Sequence, residues 1–393
     1  MQYRNDKQGN PLSALGFGCM RFPRAATGGV NLPKAEEAVL AAVEAGVNYF
    51  DTAYIYPGSE AALGAILARN HLRDKVHIAT KLPHYLLKKP EDAPRYFAQQ
   101  LERLQTDRVD YYLMHMLTDV KTWQRLCDLG VADWLLAQKQ AGAIGQIGFS
   151  YHGNSEMFCR LVDAFDWDFC MIQYNYLDEH SQAGVKGLRY AAARGLPVMI
   201  MEPLRGGKLV RDLPREALRQ MERYTPRRSP AEWAFRWLWD QPEVTCVLSG
   251  MNSAAMVRQN AAVAADAVPG AFTPADRALI SRVKQAINGK RHIACTGCRY
   301  CMPCPHGVDI PGIFAAYNRR YYDNKFNGLK DYFMCTALRQ DSTGASNCVG
   351  CGLCERHCPQ HLPIRTHLKT AQKVFEGLLY RVGKRVFSRF VKY

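Results

Sequence analysis

Eight short apolar runs alternate with stretches of helical periodicity, and this alternation leaves few folds open to the chain. The runs cover 15–20, 47–51, 76–81, 109–115, 144–150, 169–173, 196–201 and 244–249. Helices are expected at 34–45, 60–69, 90–104, 123–141, 154–165, 181–194, 230–239 and 253–264. Short apolar runs bounded by turns read as buried strands of a parallel sheet, and strands alternating with helices build βαβ units. No Gly-x-Gly-x-x-Gly follows a strand, which argues against an open dinucleotide-binding sheet. The expected fold class is α/β, a (β/α)8 TIM barrel of about 250 residues. A hairpin over 1–13, turning at Gln8-Gly9-Asn10-Pro11, precedes it, and a last helix at 275–287 follows a breaker-rich turn.

In such a barrel the strands deliver side chains to the C-terminal rim, where the chemistry sits. The run 46–50 ends at Asp51, with Tyr56 five residues on, and the next two strands end at Lys81 and His115. A carboxylate, a phenol, an ammonium and an imidazole thus converge from three successive strand ends, which makes a proton-donor site. A free phenol, with a pKa of about 10, is a poor acid at neutral pH, and a nearby ammonium favours the phenolate.

At these residues the chain resembles the aldo-keto reductase family over roughly 1–287. The matches are Phe50-Asp51-Thr52-Ala53 with Tyr56, Thr80-Lys81, and Asp110-Tyr111-Tyr112-Leu113-Met114-His115. The resemblance implies a catalytic tetrad of Asp51, Tyr56, Lys81 and His115. Tyr56 would protonate a substrate carbonyl as hydride arrives, Lys81 would lower its pKa, Asp51 would hold Lys81, and His115 would orient the carbonyl. It further implies an NADP(H) or NAD(H) site. Ser150 and Gln173 match the carboxamide contacts, with Tyr151 where the family has Asn. Arg205, Gly206, Gly207 and Lys208 match the pyrophosphate loop, and Asn260 falls in the adenosine-phosphate segment. In that segment Gly250 and Met256 stand where basic residues are usual, and Arg258 lies two positions on, so weak preference for NADPH over NADH is expected. Arg21, Tyr54 and Trp123 are candidates to line the substrate pocket, although packing accounts for the aromatics equally well.

Eight of the fourteen cysteines fall in two tight groups. Cys295, Cys298, Cys301 and Cys304-Pro305 form one run, and Cys348, Cys351, Cys354 and Cys358-Pro359 the other. In two-cluster ferredoxins the first three cysteines of a run wrap one cluster, and the fourth ligates the other. The pattern assigns Cys295, Cys298, Cys301 and Cys358 to one 4Fe–4S cluster, and Cys348, Cys351, Cys354 and Cys304 to a second. All-cysteine zinc sites also use paired Cys-x2-Cys, but two runs of four that each end in Cys-Pro favour iron–sulfur. The first run has two residues rather than three before its last cysteine, so Cys304 follows the pattern less closely. A helix-like stretch at 313–320 between the runs points to a small, mainly helical two-cluster ferredoxin-like domain at 288–393, after a barrel domain at 1–287. The whole chain then resembles bacterial aldo-keto reductases with a fused C-terminal 4Fe–4S domain.

The formal charge is +15, and residues 286–393 carry 17 Lys and Arg against 6 Asp and Glu. Part of this excess offsets anionic clusters, and the remainder would steer an acidic carrier such as ferredoxin or flavodoxin. Nothing reads bases, so nucleic acid is not an expected partner. The tail at 374–393 alternates apolar and basic residues as an amphipathic surface helix does, and docking on the parent protein is favoured over a membrane surface. The N-terminal residues are polar with no apolar h-region, and no apolar run approaches the roughly 18 residues of a membrane helix. A cytoplasmic oxidoreductase is expected, reducing an aldehyde, ketone or quinone. The rival reading is an electron-transfer protein whose barrel links the clusters to a flavin or another redox partner. Hydride carries two electrons and a cube takes one, so flavin is a candidate converter.

Overall fold

The structure, a computed structural model, describes residues 1–26, 28–153, 155–289, 292–297, 299–322, 324–337 and 342–387. It divides into two compact units, one made of Met1–Gly206 with Ser229–Pro274, the other of Gly207–Arg228 with Ala275–Tyr393.

The first unit opens with an antiparallel hairpin, β1 (Tyr3–Asn5) and β2 (Pro11–Ser13). Eight parallel strands follow: β3 (Leu15–Gly18), β4 (Tyr49–Asp51), β5 (His77–Leu82), β6 (Val109–Leu117), β7 (Ile144–Tyr151), β8 (Phe169–Gln173), β9 (Val198–Met201) and β10 (Val244–Ser249). They pair in sequence order, and β10 pairs with both β9 and β3, so the sheet closes into the expected (β/α)8 barrel.

Alternate residues of the strands fill the interior. Tyr49, Tyr111 and Phe169 meet edge-on at 5.0 and 5.2 Å near the strand starts, and Leu113, Met171, Met199 and Leu248 complete the interior core. The hairpin closes this end with a carboxylate. Asp6 accepts hydrogen bonds from Tyr111 Oη at 2.6 Å, from Gln146 Nε2 and from Asn10. Burial pushes the Asp6 carboxyl up, but the bonds from Tyr111, Asn10 and Gln146 outweigh it and hold the group below its ordinary range. The opposite residues of each strand pack outward on the helices in one continuous apolar layer. Each such buried aliphatic side chain contributes on the order of 1.5–3 kcal/mol.

The helical stretch expected at 123–141 is two helices, Val120–Asp128 and Val131–Gln140. Gly130 takes a left-handed φ of 73° between them, which ends one helix and starts the next.

The second unit is helical. Its core gathers Ile310, Ile313, Phe314, Tyr332, Leu368 and Phe375 from the helices Ile310–Tyr322, Lys325–Thr336 and Ile364–Phe375. Asn318 anchors the entry to this core, accepting from His292 and Ile293 N–H and donating to Ile293 O at 2.7 Å. The helix Leu378–Phe387 falls within the expected amphipathic tail, and Leu378 and Leu379 are exposed on it. Among the described residues no helix is long and apolar enough to cross a membrane.

Candidate active site and cysteine centres

Barrel register brings the strand ends together. Asp51 closes β4 and pairs with Gly18 on one side and Ala79 on the other, while Lys81 lies beside Leu113. Lys81 Nζ donates to Asp51 Oδ1 and to Thr52 O, both at 2.6 Å, with both side chains almost wholly buried. A turn after β4, closed by Tyr56 N–H to Ala53 O, swings the half-buried Tyr56 back over this pair. Lys81 Nζ stands 5.1 Å from the centre of the Tyr56 ring. The His115 ring faces Tyr56 at 6.0 Å, turned 85° to it. All four residues of the expected tetrad thus share one neighbourhood.

Electrostatics give these groups distinct states. Burial pushes Lys81 down, but the Asp51 and Tyr56 charges outweigh it and hold the ammonium above its ordinary range. Burial pushes the Asp51 carboxyl up against the pull of Lys81, and its Oδ2 has no hydrogen-bond partner. Burial also raises the Tyr56 hydroxyl, with Lys81 the largest force opposing it, so the phenol stays protonated rather than shifting to phenolate. His115 is driven well below its ordinary value by burial first and by Lys81 next, which leaves a neutral imidazole whose buried Nδ1 has no hydrogen-bond partner.

Several residues that the sequence did not single out build the frame. Behind Lys81, the buried Glu60 accepts from Thr80 Oγ1 at 2.6 Å and from Gln100 Nε2 at 2.7 Å, and Gln100 also donates to Lys81 O at 3.1 Å. Beside His115 the β6–β7 register shifts between Met114 and Leu117. Met116 there takes a left-handed φ of 65°, a conformation uncommon outside glycine. Its N–H donates to Ser150 Oγ at 2.8 Å, and its carbonyl accepts from His84 Nε2 at 3.4 Å. The signal for the bulge lay in backbone geometry, which side-chain periodicity does not carry.

The residues expected at the nucleotide are spread more widely. Ser150 and Gln173 lie near the C-terminal ends of β7 and β8. Gln173 Oε1 accepts from Gln182 Nε2 at 2.8 Å. Tyr151 donates to Thr118 O, and Asn260 Nδ2 donates to Ser249 Oγ at 3.2 Å. Arg205, with φ 53°, turns inward and pairs with buried Asp178 at 2.9 Å. Gly206 and Gly207 continue the left-handed run at 67° and 87°. Arg21 crosses above this loop, for a Cβ on Gly206 would lie 3.2 Å from its guanidinium and a Cβ on Gly250 2.7 Å from its Cδ. The glycine that replaces a basic residue thus makes room for another basic side chain. Met256 and Arg258 are exposed on the helix Ala254–Ala264. Of the pocket candidates, Trp123 is buried against Phe165 and Trp167, and Tyr54 donates to Gln99 at 2.8 Å under the Arg103 guanidinium, so both serve packing.

In the second unit the cysteines from the two runs interleave. Cys295 and Cys301 line one cavity with Cys358 of the other run, together with Ile310, Phe314 and Ile364. Gly297 N–H points at Cys295 Sγ, 3.4 Å away. Cys298 lies outside the described residues. Cys304 sits with Cys348 and Cys354: after burial and Glu355, the Cys348 and Cys304 charges push the Cys354 thiol up. Cys351 is exposed. Each of these two neighbourhoods draws on both cysteine runs, although among the described residues no group of three or more side chains stands close enough to hold a metal ion.

A family model described as "Aldo/keto reductase family" matches residues 14–269. The chain belongs to the aldo/keto reductase family. It is accordingly an oxidoreductase, and a second model, the 4Fe-4S dicluster domain, matches 294–362. An aldo-keto reductase of Mycolicibacterium vanbaalenii is 29% identical over 266 residues, spanning 65% of this chain and 83% of its own. A D-galacturonate reductase of Fragaria ananassa is 28% identical, over 63% and 81% respectively. Among solved structures, the holo form of an aldo-keto reductase from Bacillus halodurans matches with a TM-score of 0.60 and 24% identity, over 72% of this chain and 96% of that one. An aldo/keto reductase from Klebsiella pneumoniae, in complex with NADP and acetate, matches at 0.59 and 22%, over 72% and 95%. At these identities the two structures speak for the barrel alone. In this aldo/keto reductase the matched dicluster segment follows the matched barrel residues.

Proposed function

We propose that the barrel reduces a carbonyl group, in an aldehyde, ketone or quinone, to an alcohol with NADPH or NADH. The observation that carries this reading is Lys81, which bonds Asp51 at 2.6 Å and stands under the Tyr56 ring. A bound nicotinamide supplies the hydride. Tyr56 keeps its proton through neutral pH and holds it ready for the carbonyl oxygen. Lys81 stabilises the phenolate left behind, and Asp51 fixes Lys81. Neutral His115 is suited to orient the carbonyl by a hydrogen bond. Ser150, Gln173 and Asn260 are assigned to the nucleotide, with Gly206 and Gly207 at its pyrophosphate. The Klebsiella neighbour was solved in complex with NADP, which supports a nicotinamide nucleotide as the cofactor. Arg205 serves the loop through Asp178, and Arg21 brings another basic side chain over Gly206.

Two 4Fe–4S clusters are assigned to the second unit, one on Cys295, Cys298, Cys301 and Cys358, the other on Cys304, Cys348, Cys351 and Cys354. Such clusters supply one-electron transfer. The exposed Cys351 favours exchange with an external carrier, for which the basic charge suits an acidic protein. That exposure also supports the second reading, in which the barrel links the clusters to a flavin or another redox partner.

Anaerobically purified protein should oxidise NAD(P)H with a reactive aldehyde or quinone. Tyr56→Phe keeps the ring and removes the proton, so turnover should fall by roughly 100-fold or more. Undiminished turnover in that variant excludes Tyr56 as the acid.

A further inference from the structure

The residue after the double glycine sits beside the cysteines. Gly207–Arg228 clusters with the iron–sulfur unit rather than with the barrel. Within that unit Lys208 Nζ lies 3.0 Å from where a Cβ on Gly297 would stand, and its Cε lies 3.9 Å away. Gly297 takes a left-handed φ of 76° and directs its N–H at Cys295 Sγ. The left-handed backbone disfavours a side chain at 297, and one placed there would push the lysine head aside by a few tenths of an ångström.

We infer that Lys208 belongs to the first cysteine centre and that its charge raises the reduction potential of the cluster held there. The reasoning rests on the cluster assignment proposed above. A cube on four thiolates is anionic, and its reduction adds one further electron. A cation fixed two residues from a ligating sulfur stabilises the more negative form more strongly. The Gly297 N–H aimed at Cys295 works in the same direction, since hydrogen bonds to sulfur also tune these centres. The loop that follows the seventh barrel strand therefore divides its basic residues. Arg205 is committed to Asp178, and Lys208 to the cluster loop.

Full-length holoprotein, purified without oxygen, tests this with Lys208→Gln and Lys208→Arg. A dithionite titration followed by electron paramagnetic resonance reads the midpoints, and fluorescence quenching reads NADPH affinity. In Lys208→Gln one of the two midpoints should move to more negative potential while the other stays, and Lys208→Arg should keep both. The dissociation constant for NADPH should change by less than about threefold. Unchanged midpoints in Lys208→Gln overturn the inference, as does an equal negative shift in the charge-preserving variant. A loss of NADPH affinity of about tenfold or more would return Lys208 to the nucleotide. Wild-type protein with no iron–sulfur signal would remove the cluster reading itself, an outcome distinct from clusters whose midpoints ignore Lys208.

Discussion

Tyr56 shows how a side chain is prepared by its surroundings more than by its own chemistry. The sequence pointed to an ammonium that lowers the phenol, and the ammonium is there. Burial nonetheless outweighs it, and the proton is retained. Burial is a property of the assembled rim, so this balance was not legible in residue order, whereas the four residue types and their strand ends were. Arg205 illustrates the same limit, since a basic residue in a glycine-rich turn reads as a phosphate ligand, and its ion pair with Asp178 emerges only from the fold. Met256 is exposed and offers no guanidinium, so discrimination between NADPH and NADH should be weaker than a bidentate arginine–phosphate contact gives. Binding measured with both nucleotides decides this, and a strong preference for NADPH would point to Arg21. His84 and His152 are pushed down to about 4, chiefly by burial, and so fold neutral. The unfolded chain takes up protons first, so stability should fall as pH drops from about 6.5 to 4. Melting curves across that interval check it, and a flat profile would mean that both rings are solvated.

At the scale of elements, the alternating pattern was enough to place all eight barrel strands and close them. Each strand had to bury both faces, and period and length carry that information. What pattern could not supply was the polar plug beneath. Asp6 lies in an ordinary-looking turn, yet its carboxylate joins Tyr111 and Gln146 from two strands far along the chain. Removing it leaves buried donors without an acceptor, at about 1–3 kcal/mol. Asp6→Ala should therefore lower the unfolding free energy by that much, read from denaturant titration, with little change in the rim. A variant as stable as the parent would show that water serves the two donors equally well. The bulge at Met116 and the break at Gly130 belong to the same class, local departures that a regular period does not announce.

At the scale of the whole molecule, the matched barrel and the dicluster segment were both legible from motif spacing, because ligand geometry imposes rigid intervals. Chain routing was not. The backbone passes from one unit to the other after Gly206, returns after Arg228, and leaves again after Pro274. A chain stopped at residue 287 would keep the excursion at 207–228 and lose much of what it packs on, including the Gly297 loop. Such a fragment should aggregate or melt well below the full protein, as scattering and calorimetry can measure. A monodisperse fragment with the parent's melting temperature would show the barrel to be self-sufficient. The routing also sets the terms for grafting. A cloner moving the second unit to another scaffold has two inserts to carry, the C-terminal piece and the short one in mid-chain. A single splice at the apparent junction would transplant only part of it.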